Sequence, residues 1–465
     1  MGTDARGDKR AFWQTDGFYL VTVGAVLAFL CTFFLSNYDC EAITKWGYDL
    51  LESISIGELG NYPRFVNLTF GSPTNYTLFV NAVTALWLSP LYILTGGSAW
   101  EASLLYYELW YKVLLAVCLA LDVRIFWGIL RRLGFDMEKA AEGCGMLLVS
   151  SISLLALMGK GQVDVYGFLF FLLGMRAYLR GRNFRMALWL GMAFLVKPLV
   201  LWVILPVFLL MMAKERFRVI LYGIVLLVPF LLDKTVTMLA MPEYVSLSRG
   251  TAQMMKEYFD GPSMFESMFT VKVNEVLVFW TLALVICFVC YYLAMHDMVK
   301  TWHFYFFPIF LLILFSIFAS VSYHWFIYIL PFLIVMGLLY RKKSDCYFLM
   351  LGVNGGLALY FTVAETMVIL PSLLGSVSGR VSELSAVNMQ ILQSLRPYFF
   401  PAGKTVFFVS MLVMGGVFAF EQMRPVKEER PADPMEKRYE KILLWLQPAP
   451  VIVYLGIAAV KWMMG

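Results

Sequence analysis

Residues 18–54 read FYLVTVGAVLAFLCTFFLSNYDCEAITKWGYDLLESI. No charged side chain occurs from Phe18 to Ser36, and five acidic or basic residues follow between positions 37 and 52. A helix needs roughly 20 apolar residues to cross about 30 Å of hydrocarbon. The stretch therefore predicts a membrane helix that emerges directly into an acidic patch.

The composition of the whole chain indicates a membrane protein. Of its 465 residues, 60% are hydrophobic and 15% are charged, and the mean hydropathy is +0.73. This leaves too little polar surface to cover a soluble globule. Apolar segments of about 20 residues recur from end to end, so we predict an all-α polytopic membrane protein with a single transmembrane domain, residues 1–465. We expect membrane lipids around it and no nucleic-acid partner.

The distribution of Lys and Arg predicts the orientation, because cytoplasmic loops are enriched in these residues. The basic clusters are Arg124 with Arg131, Arg132 and Lys139; Arg180, Arg182 and Arg185; Lys214, Arg216 and Arg218; Lys300; Arg341 to Lys343; and Arg424 to Lys441. We expect these clusters inside, together with the N-terminus and a charged connector, residues 421–441. The long loops 37–101, 233–275 and 364–404 are then outside. This arrangement gives about 13 crossings with an uncleaved first span.

The first outer loop is predicted to hold two interfacial helices. Apolar side chains from Ile43 to Ile54 follow helical spacing on one side, while charged side chains from Glu41 to Glu52 take the other. This pattern is typical of an amphipathic helix on a membrane surface. Residues 79–95 are apolar enough to cross, but a crossing would make the following glycine-rich turn a cytoplasmic loop without a positive charge. We therefore place this segment on the outer face too.

Residues 186–212, MALWLGMAFLVKPLVLWVILPVFLLMM, predict a short helical hairpin. Basic clusters flank both ends, so both ends lie on one face, yet about 27 residues cannot form two full spans. Because proline interrupts a helix, we expect the turn at Lys197-Pro198. Irregular backbone at membrane depth lines a wet cavity or is buried in protein, and an ammonium there needs an anion. The alternative is a lysine that extends to the membrane surface.

Two polar turns are expected on the same outer face. The first, Met158-Gly-Lys-Gly-Gln-Val-Asp164, lacks the GxxxxGK[ST] spacing of a phosphate-binding loop. Gln162 and Asp164 are candidates to line the cavity of the hairpin lysine, or the segment is an ordinary polar turn. The second, SVSYHWFIYILPF, contains His324, the one histidine of three that we expect outside. Its aromatic neighbours also fit an interfacial belt.

These stretches together resemble the GT-C superfamily of integral-membrane glycosyltransferases, and within it the family 87 and PIG-M-like mannosyltransferases. The similar features are Asp39 just beyond the first span and before an amphipathic helix, GQVD at 161–164, Lys-Pro at 197–198 after a basic turn, and SYHWFIYILPF at 322–332. The chain departs from the family where the usual Tyr-Pro-Pro of the first outer loop is replaced by Asn75-Tyr76-Thr77.

The resemblance implies a GT-C fold and an inverting transfer of a sugar. The donor would be a polyprenyl-phosphate sugar, with mannose favoured, and the acceptor a hydroxyl of a lipid or glycan. The reaction would take place on the outer face of a membrane, with the bacterial plasma membrane favoured. No cofactor is expected besides the donor, and we expect no divalent metal because the sequence has no tight Asp/His cluster.

The resemblance also implies roles for individual side chains. Asp39 would be the general base for the acceptor hydroxyl, and Lys197 would contact the donor phosphate. His324 would contact the phosphate or orient the donor. The remaining candidates for donor binding are Asp164, Gln162 and Tyr323. The acidic patch reads Tyr-Asp-Cys-Glu, so Glu41 remains a second candidate for the base.

Two other classes of protein remain open. A lipid-linked sugar flippase or transporter would place ionisable groups and broken helices near the membrane midplane. An enzyme like an O-antigen ligase or polymerase would use a diphosphate donor and is expected to have an arginine-rich outer site. The long loops on one face argue against transport, and the few outer arginines argue against the diphosphate enzyme.

Overall fold

A computed structural model describes residues 15–63, 66, 76–97, 100–241, 266–319, 322–364, 368–369, 378–423 and 434–464. Within these ranges the chain is almost entirely helical. The helices of the first half are α1 (Asp16–Phe34), α2 (Tyr38–Ser55), α3 (Leu78–Leu94), α4 (Trp100–Arg132), α5 (Met137–Val149), α6 (Asp164–Tyr178), α7 (Asn183–Val196), α8 (Leu201–Glu215) and α9 (Arg218–Ala240). The helices of the second half are α10 (Glu266–Thr270), α11 (Val278–Met295), α12 (His303–Phe318), α13 (Leu330–Leu339), α14 (Lys343–Ala364), α15 (Ser378–Met423), α16 (Pro434–Trp445) and α17 (Ala449–Met464).

Seven segments of the described chain are long and apolar enough to cross a membrane, or eight if one bent pair of helices is a single span. The seven are Asp16–Phe34, Tyr106–Arg132, Pro198–Glu215, Arg218–Ala240, Val278–Met295, Arg396–Met423 and Pro434–Ala459. The prediction of an all-α polytopic membrane protein is confirmed. About 13 crossings would also need α6, α7, α12, α13 and α14, which do not meet this criterion, so that count stays a prediction.

The segment predicted as the first outer loop contains two helices, α2 and α3, which pack against each other. The amphipathic pattern predicts a solvated charged side for α2, but only Glu41 and Glu52 on that side are partly exposed. Lys45 and Asp49 are buried and form an ion pair one helical turn apart. Burial raises the pKa of Asp49 to about 6, although Lys45 opposes this shift. The correction arises because α2 packs against both α3 and α4 rather than lying alone on the membrane surface.

The bent pair consists of α5 and a π-helical segment, Ile152–Gly159, which meet at 45°. Asn354 of α14 occupies the break between them. Its side-chain oxygen accepts hydrogen bonds from the backbone N–H of Ser151 at 3.0 Å and the hydroxyl of Ser150 at 3.3 Å. A buried helix break is tolerated where a neighbouring helix satisfies the freed backbone groups. The bend leads directly into the turn that carries Gln162 and Asp164.

The predicted break at Lys197-Pro198 is confirmed. Helix α7 ends at Val196, Lys197 has extended backbone angles (φ −145°, ψ 101°), and a 3-10 turn, Pro198–Val200, leads into α8. Helix α8 has 15 residues and carries Lys214 in its last turn. A helix of this length spans about 22 Å, so Lys197 and the basic end of α8 lie at opposite ends of one helix.

Short strands connect distant parts of the chain. Strand β1 (Leu35–Ser36), at the end of α1, pairs antiparallel with β4 (Val368–Ile369), and β2 (Lys272–Val273) pairs with β3 (Val276–Leu277). Sequence analysis did not predict these strands. The first pairing joins the end of the first span to the predicted loop 364–404.

The other predicted loop boundaries are only partly described. Helix α15 begins at Ser378 and continues through position 404 without a break. Helix α9 continues to Ala240, and residues 242–265 of the loop 233–275 lie outside the described residues. Residues 424–433 of the connector 421–441 also lie outside them, and α16 begins at Pro434.

Candidate functional site

Four segments that are far apart in sequence supply one polar cluster. They are the first turn of α2, the turn 160–164 before and into α6, the break between α7 and α8, and a 3-10 helix at Tyr323–Tyr328. The cluster contains two acid–lysine pairs. One pair contains Asp39 and is partly exposed, whereas the other contains Asp164 and is buried.

Asp39 is the accessible acid of the cluster. The side chain of Asn37 caps α2 by accepting a hydrogen bond from the backbone N–H of Asp39 at 3.0 Å. The Oδ2 atom of Asp39 accepts a hydrogen bond from Nε2 of Gln162 at 2.6 Å and lies 3.4 Å from Nζ of Lys160. The Asp39 side chain remains 41% exposed. It is therefore a carboxylate held in a fixed position that a solvent-borne hydroxyl can still reach.

Asp164 is fully buried at the start of α6. Its Oδ2 atom lies 3.8 Å from Nζ of Lys197 and 3.4 Å from Nε2 of His324. Its Oδ1 atom accepts a hydrogen bond from the Tyr328 hydroxyl at 3.4 Å. A buried charge needs a charged or hydrogen-bonded partner, and Asp164 has Lys197 as the first kind and Tyr328 as the second.

Tyr76 connects the two pairs. Its hydroxyl donates to Oε1 of Gln162 at 3.2 Å, and its ring centroid lies 5.3 Å from Nζ of Lys197. The ring centroid of Trp325 lies 4.8 Å from the same nitrogen. A lysine near two aromatic rings is stabilised by cation–π attraction. Lys197 is therefore held by Asp164 and by two rings rather than extending to a surface.

His324 is neutral at neutral pH. Burial lowers its pKa well below the ordinary value, and the nearby charges of Lys197 and Lys160 lower it further. A neutral imidazole offers one donor and one acceptor nitrogen. Among the described residues neither ring nitrogen has a hydrogen-bond partner, and neither does Oδ2 of Asp164 or Nε1 of Trp325. Buried polar atoms of this kind need partners, which a polar ligand can supply.

Two predicted site residues are not brought into the cluster. Glu41 makes no ion pair or hydrogen bond with the cluster within the described chain, and its pKa is raised by burial and by Glu108. The ring of Tyr323 packs 4.2 Å from that of Tyr360 and 5.3 Å from that of Phe407, measured between centroids. It therefore packs towards α14 and α15. Residues three apart share one side of a 3-10 helix. The side that faces the cluster carries Trp325 and Tyr328, and Tyr323 lies on a different side.

Sequence analysis missed several residues that position the cluster. Lys160, four residues before Asp164 in the polar turn, pairs with Asp39, and its position beside two candidate site residues is a usable sequence signal. On α4, the fully buried Lys112 donates to the backbone carbonyl of Leu35 at 2.7 Å. The hydroxyl of Tyr111, also on α4, donates to the carbonyl of Gly161 at 3.1 Å. These contacts hold the end of α1 and the polar turn against one helix.

No protein-family model matches this chain, and no curated protein matches it. The GT-C resemblance therefore stays a prediction that depends on the residues of the site. Among the described residues, no group of three or more His, Cys, Asp or Glu side chains is placed to hold a metal ion. Metal independence is likewise a prediction to be tested.

Proposed function

We propose that this chain is a GT-C-type membrane glycosyltransferase with about 13 crossings. It moves a sugar, with mannose favoured, from a polyprenyl phosphate to a hydroxyl of a lipid or glycan acceptor. The observation that carries the proposal is the junction, through Gln162 and Tyr76, of the accessible Asp39 with the buried Asp164–Lys197–His324 group. Transfer from a phosphate-activated sugar needs a base on one side and phosphate-binding donors on the other, and this junction contains both.

Lys197 and His324 form the donor side of the proposed site. Lys197 has three N–H donors, and its contact with Asp164 is long at 3.8 Å, so it can also donate to phosphate oxygens. The unmatched nitrogens of His324 and Trp325 supply further polar contacts. The buried Asp164 holds Lys197 and His324 in place. Its Oδ2 atom, which has no hydrogen-bond partner among the described residues, would accept a hydrogen bond from a hydroxyl of the donor sugar.

Asp39 forms the acceptor side. A carboxylate oxygen of Asp39 takes the proton of the acceptor hydroxyl as that oxygen attacks the anomeric carbon of the sugar. The bond from the anomeric carbon to the phosphate oxygen breaks, and polyprenyl phosphate leaves with the bonding electron pair. The anomeric configuration inverts in this single displacement. Lys160 and Gln162 keep the Asp39 carboxylate oriented.

The proposal is tested with the purified protein in detergent. It is incubated with a panel of polyprenyl-phosphate sugars and candidate acceptors, and donor consumption is measured by mass spectrometry. We expect one sugar to be consumed, an inverted product, and no loss of rate with a metal chelator. Turnover that requires a nucleotide sugar would contradict the proposal. Turnover that requires a diphosphate donor would instead favour the ligase or polymerase class.

The orientation is tested separately. The proposed site lies on the outer face, with the bacterial plasma membrane favoured, and the basic clusters lie inside. Lys197→Cys, made in a cysteine-free background because all seven native cysteines are free thiols, should react with an impermeant thiol reagent added from outside. Labelling from the inside alone would reverse the assignment.

A lipid-linked sugar transporter is the second candidate, because two features of the described chain are also typical of transporters. The helices of this chain break at Ser150-Ser151 and at Lys197, and the buried pair of Asp164 and Lys197 lies at the second break. Transporters use such breaks and ionisable groups around a substrate. Movement of an intact polyprenyl-phosphate sugar across liposomes, without cleavage of its sugar–phosphate bond, would favour this candidate.

A further inference from the structure

A cavity of about 390 Å³ lies apart from the site, between α4, α6, α7, α8, α12 and α13. Ligand pockets have volumes of about 300–1,000 Å³, so this cavity is large enough for a ligand. Its lining residues on α6 run from Phe171, in the middle of the helix, to Tyr178 at its end. At 1.5 Å per residue this is a depth of about 10 Å. Asp164 begins the same helix, so the cavity opens at the end opposite to the site.

The walls of the cavity are apolar where they are deepest. They include Phe171, Leu190, Val203, Phe332 and Val335. The ring of Phe171 lies 5.7 Å from the ring of Tyr328, measured between centroids. Tyr328 in turn contacts Asp164, so the deep wall forms the back of the proposed active site. A hydrocarbon chain matches this lining, whereas a free inorganic anion does not.

The mouth of the cavity is lined by two lysines and two acids, and arginines next to the lining residues in sequence add positive charge. Lys214 and Lys300 line the mouth and are exposed. Glu215 also lines it, and its carboxylate accepts hydrogen bonds from Asn183 and Tyr222. Asp297 is the other acid of the lining. Four arginines are each adjacent in sequence to a lining residue, namely Arg132, Arg176, Arg180 and Arg182.

The arginines at this end are close enough to repel one another. The pKa of Arg180 is lowered mainly by the charge of Arg176, and Arg132 and Arg182 also contribute. Basic pockets between membrane helices are suited to anionic lipid head groups, and each Lys or Arg near such a surface adds to the attraction. An anion bound at this mouth would relieve the repulsion.

We propose that this cavity binds an anionic phospholipid of the adjacent leaflet. One acyl chain lies in the cavity and reaches the packed rings of Phe171 and Phe332, whose centroids are 6.0 Å apart, and the phosphate lies at Lys214 and Lys300. The donor of the proposed transfer is a different ligand, because its phosphate belongs at Lys197, about 22 Å away along α8. The bound lipid supports the packing of α6 and α13 behind Tyr328. The inference does not depend on the transferase activity.

The test measures lipid binding to the delipidated full-length protein by native mass spectrometry. The probes are dioleoyl phosphatidylglycerol, dioleoyl phosphatidylcholine and inorganic phosphate. We expect one phosphatidylglycerol to bind in preference to phosphatidylcholine. The double variant Lys214→Gln/Lys300→Gln should bind phosphatidylglycerol about 30-fold more weakly, as the loss of two surface charges implies. Inorganic phosphate should not displace the lipid.

The matched control is Lys272→Gln/Lys342→Gln, which removes the same charge at two exposed lysines that do not line the cavity. It should bind phosphatidylglycerol as the wild type does. Val207→Trp fills the cavity while keeping the lysines of its mouth, so it should also weaken binding. The inference is overturned by equal affinity of the Lys214→Gln/Lys300→Gln variant and the wild type. Equal binding of the two phospholipids, or displacement by inorganic phosphate or by a polyprenyl-phosphate sugar, would also overturn it.

Discussion

Gly161 packs directly against Cys40, the residue after the proposed base. A Cβ atom on Gly161 would lie 2.6 Å from both Cβ and Sγ of Cys40, and the backbone of Gly161 has a positive φ of 67°. Only glycine combines that backbone conformation with such a close approach. The contact sets the distance between the polar turn and the start of α2, and hence the hydrogen bond from Gln162 to Asp39.

We therefore predict that Gly161→Ala destabilises the protein and reduces transfer. Gly181 is a matched control, since its φ is 66° and no atom lies within 4 Å of a Cβ built there. Gly181→Ala should cost only the backbone strain, about 1–2 kcal/mol, and Gly161→Ala should cost more. The thermal midpoints of the purified variants measure the difference. Equal midpoints would show that the Cys40 contact is not tight.

Asp39→Asn tests the base. The variant should still fold and bind the donor, but its transfer rate should fall by about 10²- to 10⁴-fold, the contribution typical of general acid–base catalysis. Glu41→Gln is the control, because Glu41 lies outside the cluster and should keep most of the activity. Donor binding and turnover are measured on the same preparations. If Glu41→Gln is inactive and Asp39→Asn is active, Glu41 is the base.

Lys197→Met tests the buried pair. It leaves the Asp164 carboxylate without its lysine, and breaking a buried ion pair costs about 3–5 kcal/mol. The double variant Lys197→Met/Asp164→Asn removes both charges and should recover much of the stability, while both variants remain inactive. Thermal midpoints and turnover separate the two effects.

The exposed pair Lys272–Glu275, 3.7 Å apart, provides the control for this cycle. Removing either of its charges should change stability by less than about 1 kcal/mol. If the double variant at Lys197 and Asp164 is as unstable as Lys197→Met alone, the two side chains are not coupled.

His324 should make the folded protein sensitive to acid. Asp164, 3.4 Å away, favours protonation of the ring, but burial and the charges of Lys197 and Lys160 outweigh it and lower the pKa of His324. The unfolded chain, with a His pKa near 6.5, then binds more protons than the folded chain. The contribution of His324 to stability is therefore fully present above about pH 6.5 and is lost as the pH falls below it.

The measurement compares wild type with His324→Gln from pH 8 to pH 5. Below about pH 6.5 the wild type should lose up to about 1.4 kcal/mol per pH unit more than the variant. The stability of the variant is subtracted from that of the wild type at each pH, because other groups also titrate in this range. One of them is Asp49, whose pKa is raised to about 6 by burial. The exposed His296→Gln should follow the wild type. Parallel curves for wild type and His324→Gln would contradict the assignment.

The predicted features that the structure confirms are those with a local cause. The break at Lys197 was predictable because the 27 residues between two basic clusters are too few for two full spans and contain Pro198, which lacks a backbone donor. Proline alone does not decide a break, since Pro206 and Pro229 lie inside α8 and α9. The break at Ser150-Ser151 was not, because it is held by Asn354, about 200 residues further along the chain. For the same reason the pairing of β1 with β4 could not be seen in either strand alone.

The residues of the candidate site were predictable from the sequence, but their contacts with one another were not. Asp39, Gln162, Asp164, Lys197 and His324 were recognisable as polar residues at the ends of apolar segments, where a charged or polar group needs a partner. Which of their neighbours would join them was not recognisable. The rotation of the 3-10 helix places Trp325 and Tyr328 at the cluster and Tyr323 among the aromatic side chains of α14 and α15.

The sequence by itself determined the membrane class, the helical content and the position of the Lys197 break, because hydrophobic length and proline act over a single segment. Only the tertiary structure decided that Lys160 pairs with Asp39, that Lys45 and Asp49 are buried together, and that Gly161 has no room for a side chain. Ion pairs and close packing depend on distances between segments that are far apart in the chain. Those distances are fixed only when the helices pack.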